Sequence, residues 1–274
     1  MTTQTDATTQ TTAAPRRRLG HSLRLGLSLW LAGMLGAVSV TATVLPRLSA
    51  GMTLPAPLWL ISLAGVCQSA LLVAVAVWAG VRLAPAVGLH APGFEAFAAH
   101  RPIAAALRPQ LLPGLVGGVP GGIFLYGAFR FAPPFVKDLS ERFNPPLFAR
   151  MLEGGITEEV LLRWGFMTAL AWLAWRFLQG RGGDVRGGAV RPALVWVAIV
   201  ASAFVFGLGH LPLAFHLAGG LDLTLVLFVT GLNAAFGMLF GYLFWRWGLE
   251  AAMIAHAAAH LVNYGATLFG ARHT

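Results

Sequence analysis

The sequence predicts an all-α, multi-pass transmembrane helical bundle of about seven helices. Three observations predict it. Of 274 residues, 57% are hydrophobic and only 11% charged, with a mean hydropathy of +0.71, whereas soluble domains carry roughly a quarter charged residues. Apolar runs near the roughly 20 residues needed for a span recur along the chain. The net charge of +9 comes almost wholly from arginine, Lys137 being the only lysine, and much of it sits in short loops between those runs. That distribution marks membrane topology rather than nucleic-acid binding, so a lipid bilayer and no nucleic acid is the expected surrounding.

The elements follow in order. Residues 1–22 begin as a Thr-rich polar tail ending in Arg16, Arg17 and Arg18, with too little apolar content to bury, and are expected to be disordered and cytoplasmic. The first apolar run starts after Arg24 and is long enough to span, so it is expected to remain as a membrane helix rather than a cleaved signal. Helical runs are predicted at about 25–46, 57–84, 111–131, 149–178, 193–215, 223–246 and 249–270. Residues 86–110, with Glu95, His100, Arg101 and Arg108 among alanines and leucines, read as an interfacial amphipathic helix. The third run, LLPGLVGGVPGGIFLYGAF, carries two prolines and many glycines, which membranes tolerate where neighbours satisfy the freed backbone groups. QGRGGDVRGGAVRP, 179–192, reads as a flexible loop. Residues 23–274 are expected to form a single transmembrane domain without internal repeats, with the core that carries its polar chemistry, a polar cavity within the membrane, at about 110–270. The positive-inside count places the N-terminus in the cytoplasm, opposed by Arg130, Lys137, Arg142 and Arg150 in or beside one outer loop. The single cysteine, Cys67, supplies neither a disulfide framework nor a metal site.

Three stretches put polar chemistry at membrane depth. In ITEEVLLRWGF, 156–166, Glu159 and Arg163 lie four apart with the acid first, the spacing and order of a helical ion pair. Glu158 is left over, turned about 100° onto a face shared with Gly154, Gly155, Leu161, Leu162 and Gly165, where missing side chains leave room for another helix or a substrate. A spare intramembrane carboxylate is functional by default, though a structural cluster facing a water-filled crevice explains the same residues. In FVFGLGHLP, 204–212, Phe206 and His210 are one turn apart, with Gly207 and Gly209 permitting close packing. In MIAHAAAHLVNYG, 253–265, His256 and His260 share a face and Asn263 follows three residues later. Two such imidazoles can bind a metal or donate to a developing oxyanion, and histidines that merely bridge helices remain the structural alternative.

EEVLLR, FGLGH and HAAAH, in that order, resemble the EExxxR, FxxxH and HxxxN or HxxxD motifs of the CAAX prenyl endopeptidase and bacteriocin-processing (CPBP) intramembrane proteases. The resemblance covers roughly 110–265, and GYLFWRWGLEAAMIAH resembles that family's approach to its last motif. Two departures stand out: His260 replaces the usual Asn or Asp, and the glycine-rich loop after residue 178 lengthens the spacing to His210. What the resemblance implies is intramembrane hydrolysis of a peptide or membrane-protein substrate, which can be lipidated, in a bacterial plasma membrane. Glu158 is then the general base, His210 its assistant, and His256 and His260 stabilise the oxyanion, with Phe206 and Asn263 in support and Glu159–Arg163 as a structural ion pair. No cofactor is expected, because the HExxH arrangement of zinc proteases is missing, although one glutamate and three histidines are also a possible zinc set. The alternatives are a proton-coupled transporter, or an inactive family member acting as an immunity or adaptor protein.

Overall fold

The computed structural model describes residues 8–179 and 190–271. Every described regular element is a helix, and the chain is a multi-pass helical membrane protein. Helix α1 (Thr8–Thr43) ends before the short α2 (Leu45–Leu48), and α3 (Leu58–Val87), α4 (Pro92–Ala98), α5 (Ile103–Arg130) and α6 (Pro134–Arg142) follow. Helix α7 (Leu147–Leu152) runs without a break into a π-helical segment, Glu153–Met167, then α8 (Thr168–Ala174) and a last π turn, Trp175–Gln179. Helices α9 (Pro192–Gly209), α10 (Leu211–Ala218), α11 (Leu223–Trp247) and α12 (Leu249–Ala271) complete the bundle. Of the expected tail, residues 1–7 lie outside the described residues, and α1 starts at Thr8. Residues 180–189 of the glycine-rich loop also lie outside them.

All seven apolar runs are helical, but among the described residues only five helical stretches are both long and apolar enough to cross a membrane: Leu19–Leu48, Leu58–Val87, Ile103–Arg130, Pro192–Ala218 and Leu223–Trp247. The other two runs are α7 with its π-helical continuation, and α12. They carry Glu158, Glu159 and Arg163 on one and His256, His260 and Asn263 on the other, and the remaining helices wrap them. The lipid-facing surface follows the same logic. Leu19, Leu23, Leu27, Leu31 and Leu35 form an exposed i, i+4 stripe along α1, the face a spanning helix gives to acyl chains.

The amphipathic helix expected over 86–110 does not form as one element. Helix α3 continues to Val87 and stops at Gly88, whose φ of 71° is the left-handed helix terminator. Proline then opens α4 at Pro92, the chain turns at His100, itself at φ 55°, and Pro102 precedes α5. Residues 103–110 therefore belong to the membrane helix. Helix α5 runs unbroken despite Pro109, Pro113 and Pro120, and its glycines let it lie close against a partner. A Cβ on Gly118 would lie 2.5 Å from the Ala255 carbonyl oxygen, and one on Gly122 2.6 Å from Val262 Cβ, so α5 and α12 approach backbone to backbone. That contact fixes α12 and with it the histidines.

Candidate active site

The π-helical segment runs through the centre of the bundle, between α1, α3, α9, α11 and α12. Val160, Trp164 and Met167 are buried in one core with Phe240 and Phe244 of α11. The i→i+5 turn is wider than an α-turn, and such segments concentrate at functional sites. It also corrects one expectation about the Glu158 face. Gly154 does share the side of Glu158, but Gly155 packs on Ala257 of α12, and Gly165 turns to α3, where an added Cβ would lie 2.5 Å from Ala76 Cβ.

Glu159 and Arg163 meet as their spacing predicts, with Arg163 Nε 3.2 Å from Glu159 Oε2 and side chains 2% and 0% exposed. The guanidinium also donates from Nη2 to the Gly237 carbonyl at 3.4 Å and lies over the rings of Phe206, at 4.7 Å, and Phe240, at 5.5 Å. The pair is more than an internal neutralisation, however. Glu159 Oε1 accepts a hydrogen bond from His256 Nδ1 at 2.9 Å. An ionised carboxylate only accepts, so the proton resides on Nδ1 and Nε2 points onward.

It points at Glu158. His256 Nε2 stands 3.9 Å from Glu158 Oε2, and His210 Nε2 stands 3.6 Å from Oε1. His210 caps the end of α9, and its Nδ1 donates to the Phe206 carbonyl at 2.8 Å, which again directs Nε2 towards the carboxylate. Glu158 and His210 keep 21% and 36% of their side chains exposed, whereas Glu159 keeps none. Two adjacent glutamates thus divide into one sealed in the core and one open to a cavity. Glu158 is not free of partners, as the sequence had implied, but both imidazoles are too far for direct hydrogen bonds.

The rings are held by stacking. His256 lies between Phe240, at 4.4 Å and 22°, and His260, at 5.0 Å and 25°, while Phe206 meets His210 edge-on at 4.8 Å. Gly154 seats both α12 histidines, since an added Cβ would lie 2.8 Å from Nε2 of each. Asn263 is buried one turn beyond His260 and lines the same cavity. That cavity, about 1100 Å³, is lined by Glu158, His210, His256 and His260 together with residues of α5, α6, α10 and α11. The predicted site residues therefore converge from three distant stretches onto one carboxylate. Among the described residues no group of three or more His, Cys, Asp or Glu side chains is arranged to hold a metal ion.

Sequence reasoning missed Phe240, for which no local signal exists, because only the packing of α11 puts it under His256. It also missed Glu153, a third acid in MLEGGITEE that lines the cavity; its position five residues before Glu158 matters only on a π-helix. No curated protein and no solved structure matches the chain. Residues 142–262, which contain Glu158, Glu159, Arg163, Phe206, His210, His256 and His260, match the family model described as type II CAAX prenyl endopeptidase Rce1-like. The stretch that builds the site is thus similar to the type II CAAX prenyl endopeptidase, Rce1-like family, in agreement with the motifs that the sequence carries.

Proposed function

We propose that the protein is an intramembrane endopeptidase in which Glu158 activates water with the help of His210, and His256 and His260 stabilise the oxyanion. The observation that carries this reading is the placement of one cavity-facing carboxylate between two imidazoles that both present Nε2 to it. Water held by the carboxylate is deprotonated as it attacks the scissile carbonyl, and the acquired proton is available, directly or through His210, for the departing amine. His256 has an ionised carboxylate behind its Nδ1–H, the arrangement that stabilises an imidazolium in hydrolytic triads. As imidazolium it has an Nε2–H to donate to the negative oxygen of the tetrahedral intermediate. His260, stacked on it over Gly154, is the second donor, in the position where the resembling family carries Asn or Asp.

The cavity is mainly apolar on the α5 and α11 side, through Leu125, Phe129, Phe228 and Leu232, which suits a substrate that arrives from the bilayer. The test compares membrane and secreted proteomes of cells carrying the wild-type protein or Glu158→Ala by mass spectrometry of peptide termini. Termini that vanish in the variant identify the substrate; identical terminomes, with both proteins equally expressed, refute the reading. Turnover of that substrate should survive strong chelators, and loss on stripping with recovery on zinc addition would transfer water activation to a metal.

A further inference from the structure

Glu153 opens the π-helical segment and lines the same cavity as Glu158, yet the proposed chemistry leaves it unused. Its Oε2 is shielded from solvent and accepts no hydrogen bond, and none of the ion pairs among the described residues includes it. The neighbours explain why. Arg150, three residues earlier, gives its guanidinium to the Pro145 carbonyl, at 2.9 Å, and to Asn144 Oδ1. Thr157 has one hydroxyl proton and donates it to the Gly33 carbonyl at 2.6 Å. Arg130 and Lys137, the other cations of the cavity wall, stand at the end of α5 and on α6.

A buried carboxyl oxygen without a donor is costly, and each one in a native structure calls for a reason, a bound cation among them. Glu158 faces two imidazoles; Glu153 lines the same cavity with no cationic partner among the described residues. The wall of the same cavity carries Leu125, Phe129, Val136 and Leu225, so an aliphatic stem fits; of its three glutamates Glu158 faces two imidazoles and Glu141 stands on α6, which leaves Glu153 for a charged tip. Glu153 also lies N-terminal to Glu158, towards the end of the bundle that carries α6.

We propose that Glu153 is a specificity-determining residue that receives a lysine or arginine side chain of the substrate, on the part of the peptide running from the scissile bond towards α6. The reaction it serves rests on the protease reading above; the cation site itself does not. The first experiment therefore measures binding without turnover. Full-length protein in maltoside micelles is doped with a low mole fraction of dodecylammonium, with dodecanol as neutral control, and melting is followed. Dodecylammonium should raise the melting temperature of the wild type and of Glu158→Gln, less so of Glu153→Asp, and not of Glu153→Gln; dodecanol should act alike on all four. An equal ammonium shift in Glu153→Gln, or no shift in the wild type, overturns the proposal. So does a Glu153→Gln variant that fails to fold, which would make the carboxylate structural. The second experiment scans lysine against norleucine along a cleaved peptide. The wild type should favour lysine at one position by about tenfold or more, the discrimination of one charge-assisted hydrogen bond, and Glu153→Gln should bring that ratio near one. Cleavage insensitive to Glu158→Gln would sink the protease reading and leave the binding result standing.

Discussion

Glu159→Gln and Glu158→Gln make the same chemical change at adjacent residues and should have opposite consequences. Glu159 receives Arg163 on one oxygen at 3.2 Å and His256 on the other at 2.9 Å, and its side chain is fully buried. An amide keeps one acceptor, so its NH2 must face a second donor, and the arginine is left a buried charge without an anion. Breaking such a pair from one side costs about 3–5 kcal/mol, a large part of the 5–15 kcal/mol that typically holds a fold together. Around Glu158 the terms oppose one another. At 3.6–3.9 Å and an effective dielectric of about 20, attraction to one imidazolium is worth about 4 kcal/mol. Withdrawing the carboxylate from water costs a similar several kcal/mol, and an amide removes both. Glu158→Gln should thus change stability by less than about 1 kcal/mol while abolishing turnover. The assay is folded yield and melting temperature in detergent beside turnover, for both variants, Arg163→Met, and the Glu159→Gln/Arg163→Met pair. The double variant should recover about half of the loss or more, because the new amide oxygen is then free to accept from His256 Nδ1. Equal destabilisation by Glu158→Gln and Glu159→Gln would refute the reasoning, for the two acids would then be one structural cluster.

Three further outcomes are expected. His260→Asn should retain most activity, whereas His260→Ala should lose about 2–4 kcal/mol of transition-state stabilisation, the scale of one oxyanion donor; full activity in the alanine variant would remove His260 from the mechanism. Gly154→Ala should push His256 and His260 off their seat, lowering kcat more than it raises KM at an overpacking cost of about 1–3 kcal/mol, and an unchanged kcat would show that the imidazoles need no such fixing. Outside the spans, His90 faces Glu95 at 3.6 Å. The Glu95 partner raises the imidazole pKa against the opposing effect of burial. Burial pushes the Glu95 carboxyl up, but His90 and the Ala91 N–H outweigh it and hold the carboxyl below 4.5. The His90 contribution is complete below about 6.5 and fades as pH rises through its folded value; that of Glu95 is complete above about 4.5 and fades as pH falls through its own. His90→Gln should therefore lower the melting temperature slightly between about pH 4.5 and 6.5 and converge with the wild type only as pH passes the raised His90 value; a constant offset at every pH would exclude the pair as its cause.

What was legible in the sequence is what lies within one helix. The spacing of Glu159 and Arg163 gave their contact, because four residues is nearly one turn whether the turn is α or somewhat wider. It gave no hint that His256, 97 residues away, would take the second oxygen of the same carboxylate, and so Glu159 read as half of a structural pair. The helix bearing Glu158 read as α, since no residue pattern announces an i→i+5 ladder, and that error misplaced Gly165 and hid Glu153. The glycines were the better guide, although their meaning was not local. Gly154 marked room on the Glu158 side, and the room holds two imidazole rings; the glycines of α5 marked close approach, and what approaches is the helix that brings those rings. Absence of side chains in a membrane helix thus told where something else must enter, and only the packing of α12 on α5 told what. Two features that look unrelated in sequence, a glycine stripe beginning at Gly114 and a pair of histidines at 256 and 260, are therefore one device: moving α12 away from α5 by even a methyl group would move both Nε2 atoms relative to Glu158.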